Sequence, residues 1–94
     1  MITYTTSQFS LVSGAYYSPA FQQDPDLFVS VAVSTAAPAT ISMQHSIDNT
    51  NWIDVPDSSF PCANLGLQTF TDCQVGLYYR VKSTVEPTDC KILI

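Results

Sequence analysis

Apolar and polar residues alternate with a period of two through most of the chain, and no sustained run repeats at helical spacing, so strands are predicted throughout. In residues 27–35, Leu27, Val29, Val31 and Val33 alternate with Phe28, Ser30, Ala32 and Ser34. In residues 39–47, Ile41, Met43, His45 and Ile47 oppose Thr40, Ser42, Gln44 and Ser46. A third run, 76–85, sets Leu77, Tyr79, Val81, Ser83 and Val85 against Tyr78, Arg80, Lys82 and Thr84. Each pattern describes a strand with one face on a core and one turned outward. The runs 27–35 and 39–47 read as adjacent strands, half of an antiparallel sandwich.

Turn chemistry divides these runs. Asp48-Asn49-Thr50-Asn51 predicts a tight turn, because Asp and Asn tolerate left-handed backbone angles and bond their own backbone. Trp52, Ile53 and Val55 open the next strand, with Asp54 outward and Pro56 ending it. Residues 57–65 read as an irregular connection, and Gly66 opens a short strand of Leu67, Thr69 and Phe70. Glu86-Pro87-Thr88-Asp89 turns the chain into a last strand of Cys90, Ile92 and Ile94. Upstream, short extended segments bend at Gly14, Ser18-Pro19 turns, and Phe21–Gln23 is a brief strand closed by Asp24-Pro25-Asp26. Residues 1–8 are expected to be an N-terminal arm that orders against a neighbour. Seven or eight strands at this turn spacing predict one all-β domain over residues 1–94, a compact antiparallel β-sandwich, Ig-like or jelly-roll-like.

Composition narrows the function classes. Of the 94 residues, 46% are hydrophobic and only 12% charged, which argues for an ordered rather than a disordered chain. The net charge is −5 and Arg80, Lys82 and Lys91 are the only cations, which argues against nucleic acid and anionic membrane partners. The acidic residues are scattered at turn positions, as solvated loops require. The uncharged start has no basic region followed by a compact apolar segment, so no signal peptide is expected. Residues 27–47 are uncharged too, but Pro38, Gln44, His45 and the Ser/Thr alternation mark strands rather than a membrane helix, and a soluble protein is expected. Cys62, Cys73 and Cys90, spaced by 11 and 17 residues, match no zinc signature. An odd count fits thiols buried in a reducing cytoplasm, with a Cys62–Cys73 bridge as the alternative in an oxidising setting.

The candidate residues favour binding over catalysis. His45 falls among core positions with no nucleophile or carboxylate placed beside it, so a buried, hydrogen-bonded histidine is expected. Ser46, Asp48 and Trp52 resemble the Ser-x-Asp-x-Gly-x-Thr-Trp box of sialidase-like propeller blades, one residue shorter and without the glycine. That box stabilises a turn, so Asp48 is expected to cap its turn and Trp52 to seal the end of the core. No metal or cofactor is expected, since the carboxylates lack calcium-loop spacing. Tyr78, Arg80 and Lys82 share one strand face and form the only local cationic patch. They either protect a sheet edge from pairing or dock an acidic partner. Tyr16 and Tyr17 divide between core and interface, and with Tyr4 on the arm they complete the set of candidate interface residues.

The stretch I-S-M-Q-H-S-I-D-N-T-N-W-I-D-V, followed by G-L-Y-Y-R-V-K-S and a closing hydrophobic strand, resembles small virion proteins of tailed bacteriophages. The resemblance covers roughly residues 28–94; the Asn-Thr-Asn turn departs from it where glycine is common. It implies a non-enzymatic capsid decoration (cement) protein, or a module of a head or tail fibre, located in the virion after assembly in the host cytoplasm. The implied partners are the major capsid protein and other virion proteins, with the chain itself a homo-oligomer, trimers being favoured. The alternative of another class is a carbohydrate- or host-receptor-binding module using Trp52 and the tyrosines as stacking platforms.

Overall fold

A computed structural model describes residues 1–22, 28–71 and 77–93. The Asp24-Pro25-Asp26 turn, Cys73, Ile94 and the first positions of the strands expected at 27 and 76 lie outside the described residues. Among the described residues, eleven strands, every pair antiparallel, form two sheets packed as a β-sandwich.

The four-stranded sheet runs in the order β1 (Ile2–Thr5), β11 (Pro87–Leu93), β5 (Val29–Thr35) and β9 (Leu65–Phe70). In the larger sheet β10 (Tyr78–Ser83) and β6 (Ala39–Ser46) pair at the centre, Tyr78 opposite Ser46 through Ser83 opposite Ile41. The far side of β10 is shared by β3 (Ala15–Tyr17) and β4 (Phe21–Gln22), with β2 (Ser10–Val12) beyond β3. The far side of β6 is shared by β7 (Ile53–Asp54) and β8 (Phe60–Cys62). Val29, Val31 and Val33 of β5 face Ile41 and Met43 of β6 and Tyr79 and Val81 of β10, with Cys90 and Ile92 of β11 completing the buried core.

The strand count exceeds the expected seven or eight because Ile2–Thr5 and Phe60–Cys62 are strands too, and in the larger sheet each central strand has its outer neighbour broken in two. A serine bonds the backbone at each break. Between β3 and β4, the Ser18 Oγ accepts from the Val81 N–H at 2.8 Å while the Ser18 N–H donates to the Val81 carbonyl at 2.9 Å. Between β7 and β8, the buried Ser58 hydroxyl accepts from the Met43 N–H at 3.0 Å and donates to the Met43 carbonyl at 3.3 Å. Both central strands thereby keep their backbone groups bonded across the gaps. At the bend expected near Gly14, Ser13 and Gly14 both have positive φ, the geometry of a tight hairpin turn joining β2 to β3.

Four expectations are corrected. Residues 1–8 are not an arm: β1 pairs Ile2 to Thr5 with Ile92 to Asp89, a 3-10 turn follows at Thr6–Gln8, and Tyr4 is only 6% exposed. The alternation Ile2, Thr3, Tyr4, Thr5 is itself a strand pattern, satisfied by this chain's own last strand. Strands β5 and β6 are not neighbours but lie in opposite sheets, their apolar faces meeting across the core. Period-two alternation fixes which side is buried and leaves open whether the next strand lies beside or opposite. The segment 57–65 contains β8, with Phe60 and Cys62 inward and Pro61 exposed, on the outer side of β6 where a residue lacking an N–H is tolerated. Finally, β9 turns Leu65 and Leu67 outward, at 67% and 65% exposure, and buries Gly66. A Cβ at Gly66 would lie 3.0 Å from the Cys62 Cβ and 3.1 Å from the Pro61 carbonyl oxygen, so the missing side chain lets β9 pass close to β8.

Candidate docking site: an arginine between two aromatic rings

On β10, Tyr79, Val81 and Ser83 are buried, and Tyr78, Arg80 and Lys82 are half-buried on the outer face. This strand is the middle of its sheet, with β6 on one side and β3 and β4 on the other, so Arg80 and Lys82 cannot serve to protect an edge. A role on the surface of the sheet remains.

Cross-strand geometry then builds a site around Arg80. Tyr17 of β3 lies opposite Lys82, which brings its ring diagonally alongside Arg80. The Arg80 Cζ stands 4.1 Å from the centre of the Tyr17 ring. From the other flank, just ahead of β7, Trp52 places its ring centre 4.4 Å from the same carbon. Both separations are within the range of cation–π attraction. Gln44 lies opposite Arg80 on β6, and Asp54 lies opposite Gln44 on β7. The Arg80 Nε–H donates to the Gln44 Oε1 at 2.8 Å, and the Gln44 Nε2 donates to the Asp54 Oδ1 at 2.9 Å. Gln44 is 8% exposed and stands between the guanidinium and the Asp54 carboxylate. Partial desolvation lowers the Arg80 pKa while Tyr17 opposes that shift, and an arginine starts so high that it stays charged.

The remaining predicted residues divide. Tyr78 and Lys82 join Arg80 on the outer face, and Tyr17 stacks on it. Tyr16 is half-buried opposite Ser83, a core position of β10. Tyr4 is buried against the edge of the Phe9 ring and offers no surface for docking.

The hairpin residues divide as well. Asp48 organises its turn: Oδ1 accepts from the Ser46 hydroxyl and from the N–H groups of Thr50 and Asn51, and Oδ2 accepts from the Asn51 amide. These bonds hold its carboxyl well below the usual carboxylate range. Trp52 does not seal the core; it is half-buried on the outer face. His45 is half-buried rather than buried, its ring 6.1 Å from that of Tyr79, beside an open cleft of about 510 Å³ between the sheets. Ile47 follows the last residue of β6, belongs to the turn, and is 84% exposed.

Sequence reasoning missed Gln44 and Asp54 as partners of the site and misplaced Trp52. Parity contained the signal. If Asp54 faces outward, period two turns Trp52 outward with it, onto the face that carries Gln44 and Arg80.

Cys62 and Cys90 are free and buried, and burial, aided by Asp89, pushes the Cys90 thiol up to about 12. Among the described residues no group of His, Cys, Asp and Glu is arranged to hold a metal ion, and no helix is long and apolar enough to cross a membrane. No family model matches the sequence, and no curated protein or solved structure matches it significantly.

Proposed function

We propose that the chain is a non-enzymatic structural protein of a tailed-phage virion, a capsid decoration protein that docks on the major capsid protein through the outer face of β10. The resemblance of the 39–55 hairpin and the Tyr78–Ser83 strand to small phage virion proteins supports this reading. The observation that carries it is the Arg80 stack. A surface cation fixed by two rings and a buried glutamine is ordered before any partner arrives, so binding immobilises little that was free. Aromatic residues and arginine are also the side chains most enriched at the energetic centres of interfaces. The remaining outer-face positions of β6, including Thr40 and Ser42, are small and polar, which suits close approach by a flat shell.

The assembly is a homo-oligomer, with a trimer matching a local threefold position, in a virion assembled in the host cytoplasm. The test is co-sedimentation of the purified chain with expanded capsids of the phage that encodes it. Saturable binding at a fixed copy number, by a chain whose solution mass is a multiple of the monomer, is the expected result. A monomer that stays in the supernatant contradicts it. A second reading, a carbohydrate- or host-receptor-binding module, draws on Trp52 and Tyr17 being partly exposed on one face. Each ring already gives a face to Arg80, which weakens it as a sugar platform, and glycan binding without capsid binding would favour this second reading.

A further inference from the structure

Resting on the reading of this face as a docking surface, we infer that its partner group is a carboxylate on an otherwise weakly charged protein surface, received edge-on by the Nη groups of Arg80. The inference follows from which directions around the guanidinium remain open. Tyr17 and Trp52 flank it from opposite sides, at 4.1 and 4.4 Å from Cζ. Gln44 occupies the Nε–H. What remains is the edge carrying the two Nη groups, and among the described residues neither group has a hydrogen-bond partner. An acceptor entering along that edge must lie near the guanidinium plane and present two oxygens, which is the geometry of a carboxylate or phosphate fork.

Net charge limits what can carry such a group, favouring an isolated carboxylate over the phosphates of a polyanion. Asp54 would be the obvious internal partner, but it accepts from Gln44, so the nearby carboxylate on this face leaves the Nη edge unclaimed. Lys82, two residues along the same face, adds a second positive charge to this side of a chain whose net charge is −5. A long polyanion such as nucleic acid would meet the repulsion of the remaining surface, whereas one or two carboxylates on a neutral surface engage only the local cations. Burial between rings also strengthens the pair relative to an arginine free in water.

The test is an NMR titration of the isotope-labelled 94-residue chain with a peptide carrying two glutamates in an otherwise uncharged sequence, with inorganic phosphate and sodium chloride as comparison titrants. Saturable movement of the Arg80 Nε–Hε and Trp52 indole N–H signals by the peptide is expected. In Arg80→Gln, whose folding is checked by its amide spectrum, the affinity should fall roughly tenfold or more. Arg80→Lys keeps the charge and loses the fork, so it should fall between the two. Wild-type affinity in Arg80→Gln or in Arg80→Lys would overturn the inference, as would unsaturable shifts matching those from salt, or phosphate binding as tightly as the peptide. Capsid binding separates this inference from the broader reading. Capsids bound equally by Arg80→Gln remove the carboxylate site and keep the decoration role. Peptide binding without capsid binding does the reverse.

Discussion

The Nε–H of Arg80 donates to the Oε1 of Gln44 at 2.8 Å, and this bond determines how the cation is presented. It anchors the inner edge of the guanidinium to the sheet, so the outer edge is directed away from it between Tyr17 and Trp52. Removing the flanking rings should therefore loosen the arginine before it unfolds the protein. Trp52→Leu is expected to cost about 0.5–2 kcal/mol in a urea unfolding curve, the range of one partly desolvated cation–π contact. Loss of the sharp Arg80 Nε–Hε resonance in that variant should accompany it.

Ser18 and Ser58 each close a break beside a central strand, and each is buried. Alanine at either position leaves the N–H of Val81 or Met43 without its hydroxyl acceptor inside the protein. We expect about 1–3 kcal/mol of lost stability for each, and because Val81 and Met43 are direct cross-strand partners the double variant should depart from the sum of the singles. A denaturation series on the three variants checks this.

Asp48 sets the acid response of the hairpin. Its folded pKa is depressed, first by the backbone N–H groups of Asn51 and Thr50 and then by the side chains of Asn51 and Ser46. The unfolded chain takes up a proton here near pH 4 while the folded chain does not, so the contribution is complete at neutral pH and is lost as pH falls below about 4. Asp48→Asn should lower the unfolding midpoint at neutral pH and leave it nearly unchanged in strong acid. Thermal scans at several pH values measure the convergence.

The two described cysteines should be silent in the native state. Cys90 is buried with its thiol pushed up to about 12, and Cys62 lies beneath β9 with its Sγ donating to the Val33 carbonyl at 3.3 Å. Alkylation at about pH 8 followed by peptide mass analysis should label neither until denaturant is added, since the thiolate is the reacting form. Rapid native labelling at Cys62 or Cys90 would contradict the packing around them.

Much of this architecture was readable in the sequence, and the exceptions have common causes. Alternation identified the cores of β5, β6 and β10 and the outward set Tyr78, Arg80 and Lys82, because a half-buried strand leaves its mark on every second residue. It could not say that β5 and β6 face each other, since side-by-side and face-to-face neighbours carry the same pattern. The short strand β8 has too few residues for a period to show, and Pro61 reads as a break wherever its pairing side is unknown. Leu65 and Leu67 look like core and are exposed because Gly66 between them is the residue that must fit under β8. The turn at Asp48 was legible because its chemistry is local. The site was only half legible: Arg80 stood out as a rare cation, whereas its holders Tyr17, Gln44, Asp54 and Trp52 come from three other parts of the chain. A tryptophan is assigned to a core on hydrophobicity, and here its ring serves a cation on the surface.

The central claim, that the outer face of β10 is the working surface, is tested most directly by hydroxyl-radical footprinting of the chain free and bound to capsids. Oxidation of Trp52, Tyr17 and Tyr78 should fall on binding, while Leu65 and Leu67 on the opposite sheet stay as reactive as in the free protein. Protection confined to Leu65 and Leu67, with the three aromatic residues unchanged, would contradict it.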